Sequence, residues 1–391
     1  MPAGKGNANE AAALDAVVVG AGVIGLACAW RAALRGLRVR VLERDQPGSG
    51  ASGVAAGMLA PVGEAAWGEE RLLEAALASH ATWPAFADEL AQASGVASGF
   101  IAGGALHVAL DRDEAAELRR RHELMTSLSL AAEWLSPHEC RALEPGLHPS
   151  VFGGVHAPHE SGVDPAALVL ALRSACERAG VEVATGAEVT EAIIENDRLA
   201  GVVTNGGERH LGGATVLAAG AWSGRADWLP EAARPPVRPV KGQILTLRGP
   251  ADRPLAGRIV VTERVYLVPR ADGHLIAGAT VEELGFDTRV TAGGVHELLR
   301  EAYRTLPDVA ELELERAVAG LRPASPDNAP LVGPGAIEGL VLATGHFRNG
   351  ILLAPLTATG VAAALCDEPL PPELRVADPA RFSADRVGAS R

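Results

Sequence analysis

Only four of the 391 residues are cysteine, and Cys28, Cys140, Cys176 and Cys366 are scattered along the chain. There is no C-x-x-C and no metal-ligand spacing, so a disulfide framework and a zinc cluster are both excluded, and the four read as buried thiols in a reducing compartment. No uncharged run reads as a bilayer span. Residues 16–30 are too short and carry three glycines, while residues 349–366 contain Pro355, two threonines and two glycines and read as a buried helix. The N-terminal "MPAGKGNANEAAALD" lacks the apolar stretch of a signal peptide and reads as a short loose tail. A soluble, cytoplasmic protein with no membrane partner is the expectation. Positive charge is also short, with 35 Lys+Arg against 48 Asp+Glu and a net charge of −13. That argues against nucleic acid or an anionic membrane as the main partner and leaves room for a small anion held by a few arginines.

At this length, two domains or one large interleaved fold are expected. A composition 48% hydrophobic and 21% charged is that of a globular chain. Glycine is abundant, 45 residues against a usual share of ~7%, so a glycine pattern counts only in context.

The opening "DAVVVGAGVIGLACAWRAALRGLRVRVLER" has the order strand, glycine turn, helix, strand. Val17 to Val19 are a continuous β-branched run, as in a strand buried on both faces. A helix is expected over 23–35, stopped by Gly36, and then Leu37, Val39 and Val41 alternate with arginines up to Glu43. Residues 71–149 read as mostly helical, with an interruption at "SGFIAGGALHVAL". Asp164-Pro165 starts a helix expected to reach 179. Short strands follow in "VEVATG", "EVTEAIIEN", "LAGVVTN" and "ATVLAAGAWSG". Beyond the proline-rich "ARPPVRPV", strands are expected at 243–247 and 258–262, a hairpin turning at Asp272-Gly273, and a helix at about 293–305. The last unit, "GLVLATGHFRNGILLAPLTATGVAAALC", is again strand, turn, helix. There is no internal repeat and no low-complexity segment.

Gly20, Gly22 and Gly25 form G-x-G-x-x-G directly after a strand and at a helix start, with Glu43 ending the next strand 18 residues after Gly25. The glycines allow a tight turn and close approach of a pyrophosphate, the helix N-terminus supplies N–H groups, and the carboxylate accepts from ribose hydroxyls. "GSGASG" at 48–53 fits the same pattern but follows no strand and reads as a decoy. The alternative is a glycine turn without nucleotide. Units of this kind at both ends of the chain suit a long, extended FAD better than NAD.

Near the C-terminus, "GHFRNGILLAP" (345–355) sets Arg348 into an otherwise apolar stretch, with the nearest carboxylates in sequence, Glu338 and Asp367, outside it. A guanidinium beside a core needs an anionic or strongly polar partner. A distant residue, water and a ligand all remain open.

Three stretches together, "GVAAGMLAP" (53–61), "VYLVPR…GHLIAGAT" (265–280) and "GLRPASPDNAPLVG…LATGHFRNGILLAP" (320–355), resemble the glycine oxidases of the D-amino-acid oxidase-like flavoproteins, the oxidases of thiamine synthesis. The likeness runs from about residue 14 to 366. It implies an α/β protein with a Rossmann-like FAD-binding domain of glutathione-reductase type and an α+β substrate domain on a mainly antiparallel sheet. The expected division gives 13–90, 150–230 and 320–391 to the first and 91–149 and 231–319 to the second.

The resemblance further implies that Val23, Ile24, Glu43 and Arg44 lie along the ADP part of FAD. Ala51, Ser52, Ala56, Gly57 and Met58 would line pyrophosphate and flavin, and Val189 would meet the adenine through its backbone. His346, Phe347, Arg348, Asn349, Gly350, Ile351 and Leu352 would wrap the isoalloxazine ring. Arg322 would grip the substrate carboxylate with Arg348 beside it and Tyr266 in the same pocket. A guanidinium fork matches a carboxylate, Tyr266 is one of only two tyrosines, and a helix after Asn349 would aim N–H groups at the flavin.

Each has a plainer alternative: an Arg322–Asp327 ion pair, Arg348 holding a loop, Tyr266 at a sheet rim, His346 satisfying a turn. Val281, where some glycine oxidases carry methionine, and Arg264, where histidine occurs, are departures that put a strict preference for glycine in doubt. Related sarcosine oxidases attach FAD through a cysteine at about Gly320, so the flavin here is expected to be non-covalent. The implied activity is oxidative deamination of glycine, sarcosine or small D-amino acids with oxygen, giving peroxide, by a homotetramer with no side-chain base. The alternatives are a dehydrogenase of D-amino acids, sarcosine or proline with another acceptor, a non-catalytic FAD-binding subunit, or a nicotinamide enzyme.

Overall fold

A computed structural model describes residues 14–382. Of the loose tail expected at the N-terminus, residues 1–13 lie outside the described residues, while Leu14 and Asp15 already belong to the first strand. Five parallel strands form the centre of the first sheet, in the spatial order Glu182–Thr185, Val39–Glu43 (β2), Leu14–Val19 (β1), Arg209–Leu217 and Leu340–Thr344. Leu331–Pro334 closes one edge antiparallel to Leu340–Thr344. The β-branched run of β1 is buried throughout, which is what a strand with neighbours on both sides and layers on both faces requires.

Strand Arg209–Leu217 serves three partners, Leu340–Thr344 on one side and two in succession on the other. Its first residues run antiparallel to Gly201–Val203, and its remainder runs parallel to β1, with Val18 opposite Val216. The helix after β1, Val23–Leu34 (α1), is buried on nearly every side, consistent with its almost unbroken apolar sequence. It packs in one core with Pro165–Arg178 and Ala354–Leu365. Glu70–Ser94 closes that core with Trp83 and Phe86, and Trp30 meets Phe86 edge-on at 5.6 Å.

The second sheet is mixed and mainly antiparallel, in the order Glu313–Ala324, Arg238–Arg248, His274–Gly278, Tyr266–Pro269, Ile259–Val261, Ala105–Ala109, Gly153–Ala157 and Glu133–Leu135. Its amphipathic helix Ala292–Thr305 lays Leu298 and Ala302 on one face. The hairpin turns at Asp272-Gly273 as expected, with Gly273 at a φ of +91°.

Some expectations shift. The interruption of the 71–149 helical region is a strand, Ala105–Ala109, wholly buried in the middle of the second sheet. The strand expected at 243–247 spans Arg238–Arg248, because the pattern-breaking Pro239 and Gly242 sit inside the ladder with Glu313–Ala324. Two strands also cross the expected domain division. Gly153–Ala157 pairs with Ala105–Ala109, and Glu313–Ala324 stays in the second sheet to its end.

Asp164 caps its helix as its sequence position implied, its side chain accepting from the N–H groups of Ala166 and Ala167. Replacing it by Ala should lower unfolding stability by ~1 kcal/mol, measured by urea titration of parent and variant.

Candidate active site

A cavity of about 640 Å³ runs between the two sheets, from Val189, Glu43 and Arg44 at one end to Tyr266 and Arg322 at the other. At the first end, Gly20 has a φ of +106°, and a Cβ there would lie 2.6 Å from the carbonyl oxygen of Ala218. Gly25 does not line the cavity. It is the contact at which α1 meets the preceding turn, since a Cβ there would run into the carbonyl oxygen of Gly20. This packing lets Gly22, Val23 and Ile24 present the first turn of α1 to the cavity. Unsatisfied first-turn N–H groups and the helix dipole favour a phosphate there.

The apparent decoy at 48–53 forms the facing wall. Ala51 and Ser52 lie in a 3₁₀ turn lining the cavity, and Ser52 Oγ accepts from Val23 N–H at 3.0 Å. Glu43 accepts from Ala21 N–H at 2.7 Å and Asp45 N–H at 2.9 Å, one on each oxygen, so its carboxylate is oriented with acceptor capacity to spare. Arg44 stacks 4.0 Å above Trp222, a neighbour that nothing in the sequence motif singled out.

Farther along, Ala56, Gly57 and Met58 line one side and His346 to Leu352 the other. His346 is 2% exposed and bonded through Nε2 to Thr357 Oγ1 at 3.0 Å. Burial drives its pKa down to about 3, so the ring is neutral and serves the turn, not proton transfer. Phe347 takes a φ of +47° and donates its N–H to Pro323 at 2.7 Å.

The helix expected directly after Asn349 begins at Ala354. Residues 350–353 instead form a turn, because Leu353 N–H bonds back to Asn349 and Ala354 N–H to Ile351. Among the described residues, the N–H groups of Gly350, Ile351 and Leu352 in this turn have no protein acceptor, and all three residues line the cavity. The carbonyl of Leu352 is pinned from behind by Ser79 Oγ at 2.7 Å and Trp83 Nε1 at 2.9 Å. Neither residue carried any motif.

At the far end, Arg322 donates from Nη1 to the carbonyl oxygens of Thr280 at 3.1 Å and Lys241 at 3.3 Å. It lies over Gly242, where any Cβ would strike the guanidinium. Tyr266 lies over Gly278 in the same way, a Cβ there falling 2.6 Å from its ring and hydroxyl. Burial pushes the Tyr266 hydroxyl up from its ordinary pKa, and the Arg322 guanidinium beside it works in the opposite sense. Among the described residues, Arg322 forms no ion pair. Asp327, its alternative partner from the sequence, is taken by Arg381 at 2.8 Å.

Arg348 is different. Its Nη2 is 3.2 Å from Glu64 Oε2, so it already has a carboxylate, supplied from nearly three hundred residues upstream. Val281 is largely exposed, and neither it nor Arg264 lines the cavity.

The profile of the DAO family, FAD dependent oxidoreductase, matches residues 15–364. The chain belongs to that family. Among members, the crystal structure of glycine oxidase from Geobacillus kaustophilus superposes with a TM-score of 0.87 at 34% identity, over 94% of this chain and 98% of that one. The bifunctional protein ThiO/ThiG of Trichormus variabilis is 37% identical over 353 residues, 89% of this chain but 52% of that protein. The chain thus spans about half the length of that relative. The hydrogen cyanide synthase subunit HcnC of Pseudomonas aeruginosa is 31% identical, over 95% of this chain and 97% of that one.

The residues present fit the family's FAD. The cavity is long, its turns are glycine where a Cβ would close them, a ribose-type acceptor stands at one end, and free N–H groups and a guanidinium stand at the other. Gly320 lines the cavity with no thiol at that position, which fits a non-covalent flavin. No described helix is long and apolar enough to cross a membrane.

Two outcomes follow for the family member described. Gly25→Val should separate α1 from its turn and strip the flavin, read as a collapse of the visible-to-280 nm absorbance ratio. His346 has a folded pKa near 3 against an unfolded value of ~6.5, so the unfolded chain binds the extra proton between them. Stability therefore rises with pH through that window and is level above it. His346→Gln should lose less stability than the parent between pH 7 and 4.5, measured by urea midpoints.

Proposed function

We propose that the chain oxidises glycine and related small amino acids such as sarcosine and small D-amino acids. Water, which hydrolyses the imine, and oxygen are consumed, and the products are the α-keto acid, ammonia (or the corresponding amine) and hydrogen peroxide. Arg322 carries this reading: a guanidinium fixed by two backbone carbonyls, without an acidic partner among the described residues, at the end of an FAD-type cavity. FAD supplies the two-electron acceptor and, with oxygen, the route to peroxide.

The chain's own residues position the substrate. The remaining N–H groups of Arg322 face a carboxylate as a fork. The Tyr266 hydroxyl adds a donor from another strand of the same sheet, and its burial keeps it protonated. With the carboxylate anchored, the Cα–H of a small amino acid is confined to the region walled by Met58 and the turn at 346–352. The free N–H groups of that turn favour negative charge developing at the end of the cavity. His346 is neutral and hydrogen-bonded, so no side-chain base is invoked. The glycine oxidase and ThiO/ThiG relatives support glycine as substrate and a place in thiamine synthesis. Action in the cytoplasm as a homo-oligomer completes the proposal.

A second reading of the same site sends the electrons to an acceptor other than oxygen, and the resemblance to a subunit of hydrogen cyanide synthase supports a chain that works with a partner. Turnover of glycine by the purified chain separates the two: peroxide in step with glycine loss supports the oxidase, and reduction of an added dye without peroxide supports the other.

Arg322→Ala removes charged hydrogen bonds worth ~1.5–3 kcal/mol each, so kcat/KM for glycine should fall on the order of a hundredfold or more, mainly through KM, with the flavin spectrum retained. Tyr266→Phe, which leaves the guanidinium in place, should cost about tenfold or less. Unchanged kinetics in Arg322→Ala would remove this residue from the substrate site.

A further inference from the structure

Of the guanidinium groups that line the cavity, Arg322 has no acidic partner among the described residues and Arg348 has one. Arg348 lines the same cavity as Arg322 but is held by Glu64, Nη2 to Oε2 3.2 Å. Glu64 also lines the cavity, and the turn that presents it is built from several directions. Within the turn, Glu64 N–H bonds to the Ala60 carbonyl at 3.1 Å and Ala65 N–H to Val62 at 3.2 Å. Gly63 donates its N–H to the buried Glu160 carboxylate, and its carbonyl accepts from Arg121. No side chain fits at position 63, because the buried His107 ring occupies that space, itself 3.4 Å from Glu160. Elements far apart in sequence therefore fix the backbone that carries Glu64 at the cavity wall, and Arg348 holds its carboxylate.

The pair adds little to stability, since the Arg348 and Glu64 side chains are 47% and 34% exposed. Its consequence is for the ligand. Beside Tyr266 the cavity wall presents an unpaired positive charge, Arg322, and an ion pair, Arg348–Glu64, whose positive member is already engaged. A single carboxylate is satisfied by this arrangement. A second acidic group on the same ligand meets the Glu64 carboxylate and finds Arg348 already engaged, and such like-charge placement is a means of exclusion.

We propose that Glu64 is a specificity-determining residue, which by holding Arg348 restricts the site to substrates with one acidic group and turns away those with two. This rests on the reading that Arg322 takes the substrate carboxylate.

Acetate and malonate are not oxidised, so their binding to the oxidised FAD-loaded protein, followed by the flavin absorbance, tests the idea apart from turnover. In the parent, malonate should bind no more tightly than acetate. Glu64→Gln should shift the malonate-to-acetate affinity ratio toward malonate by about tenfold or more, and Glu64→Asp should keep the parent ratio. Adding Arg348→Ala to Glu64→Gln should abolish the gain. With turnover, the same ratio is read from iminodiacetate against glycine. A ratio unmoved by Glu64→Gln, or a gain that survives loss of Arg348, would overturn the proposal. Failure of every variant and of the parent to bind either acid would overturn it together with the assignment of Arg322. The malonate gain without glycine oxidation would leave the proposal standing and remove only the reaction.

Discussion

The interaction on which the site depends is the one Arg322 lacks. A guanidinium cannot shed its charge, and one facing a cavity needs an anion. Two carbonyl oxygens, of Lys241 and Thr280, hold one of its nitrogens and fix its direction without neutralising it. The strands that supply this geometry, Arg238–Arg248 and Glu313–Ala324, pair along their whole length, so the arginine is mounted on a rigid sheet and not on a loop. What remains unmet is a carboxylate, and the cavity that Arg322 lines is where one can meet it. Arg348 shows the contrast, because with Glu64 beside it the same side-chain type has no such unmet requirement.

The cavity depends equally on absent atoms. Gly20 and Gly25 let strand, turn and helix close up at the Glu43 end, while Gly242 and Gly278 leave room for Arg322 and Tyr266 at the other. Between them the turn at 346–353 is held by Ser79 and Trp83 through a single carbonyl, that of Leu352. This wall of the cavity is thereby coupled to a helix of the first core. A change in the packing of Trp83 would reach the cavity without touching it.

Much of this was legible in the sequence, and the reasons differ by residue. The β-branched run at Val17–Val19, the glycine turn and Glu43 carry local signals whose meaning depends only on neighbours in the chain, and they appear where expected. The Asp164 cap and the Asp272-Gly273 turn are local in the same sense. Arg322, Tyr266 and the 346–352 segment came from a family resemblance, and the structure brings them to one cavity.

What the sequence hid is non-local. The Glu64–Arg348 pair joins residues far apart, so no spacing reveals it, and Ser79, Trp83 and Trp222 act through folding alone. The "GSGASG" stretch looked accidental because it follows no strand, yet tertiary structure sets Ser52 on the first N–H of α1. The final helix starts later than its apolar pattern implied, since Leu353 and Ala354 first close a turn onto Asn349 and Ile351. Composition is silent on all of these.

The most direct test of the account is the visible spectrum of the purified chain without oxygen, before and after glycine is added. The account predicts the yellow absorbance of bound flavin, bleaching on addition of glycine, and full return when air is admitted. A chain that neither contains nor takes up FAD, or a bound flavin whose spectrum is indifferent to glycine, sarcosine and small D-amino acids alike, would contradict it.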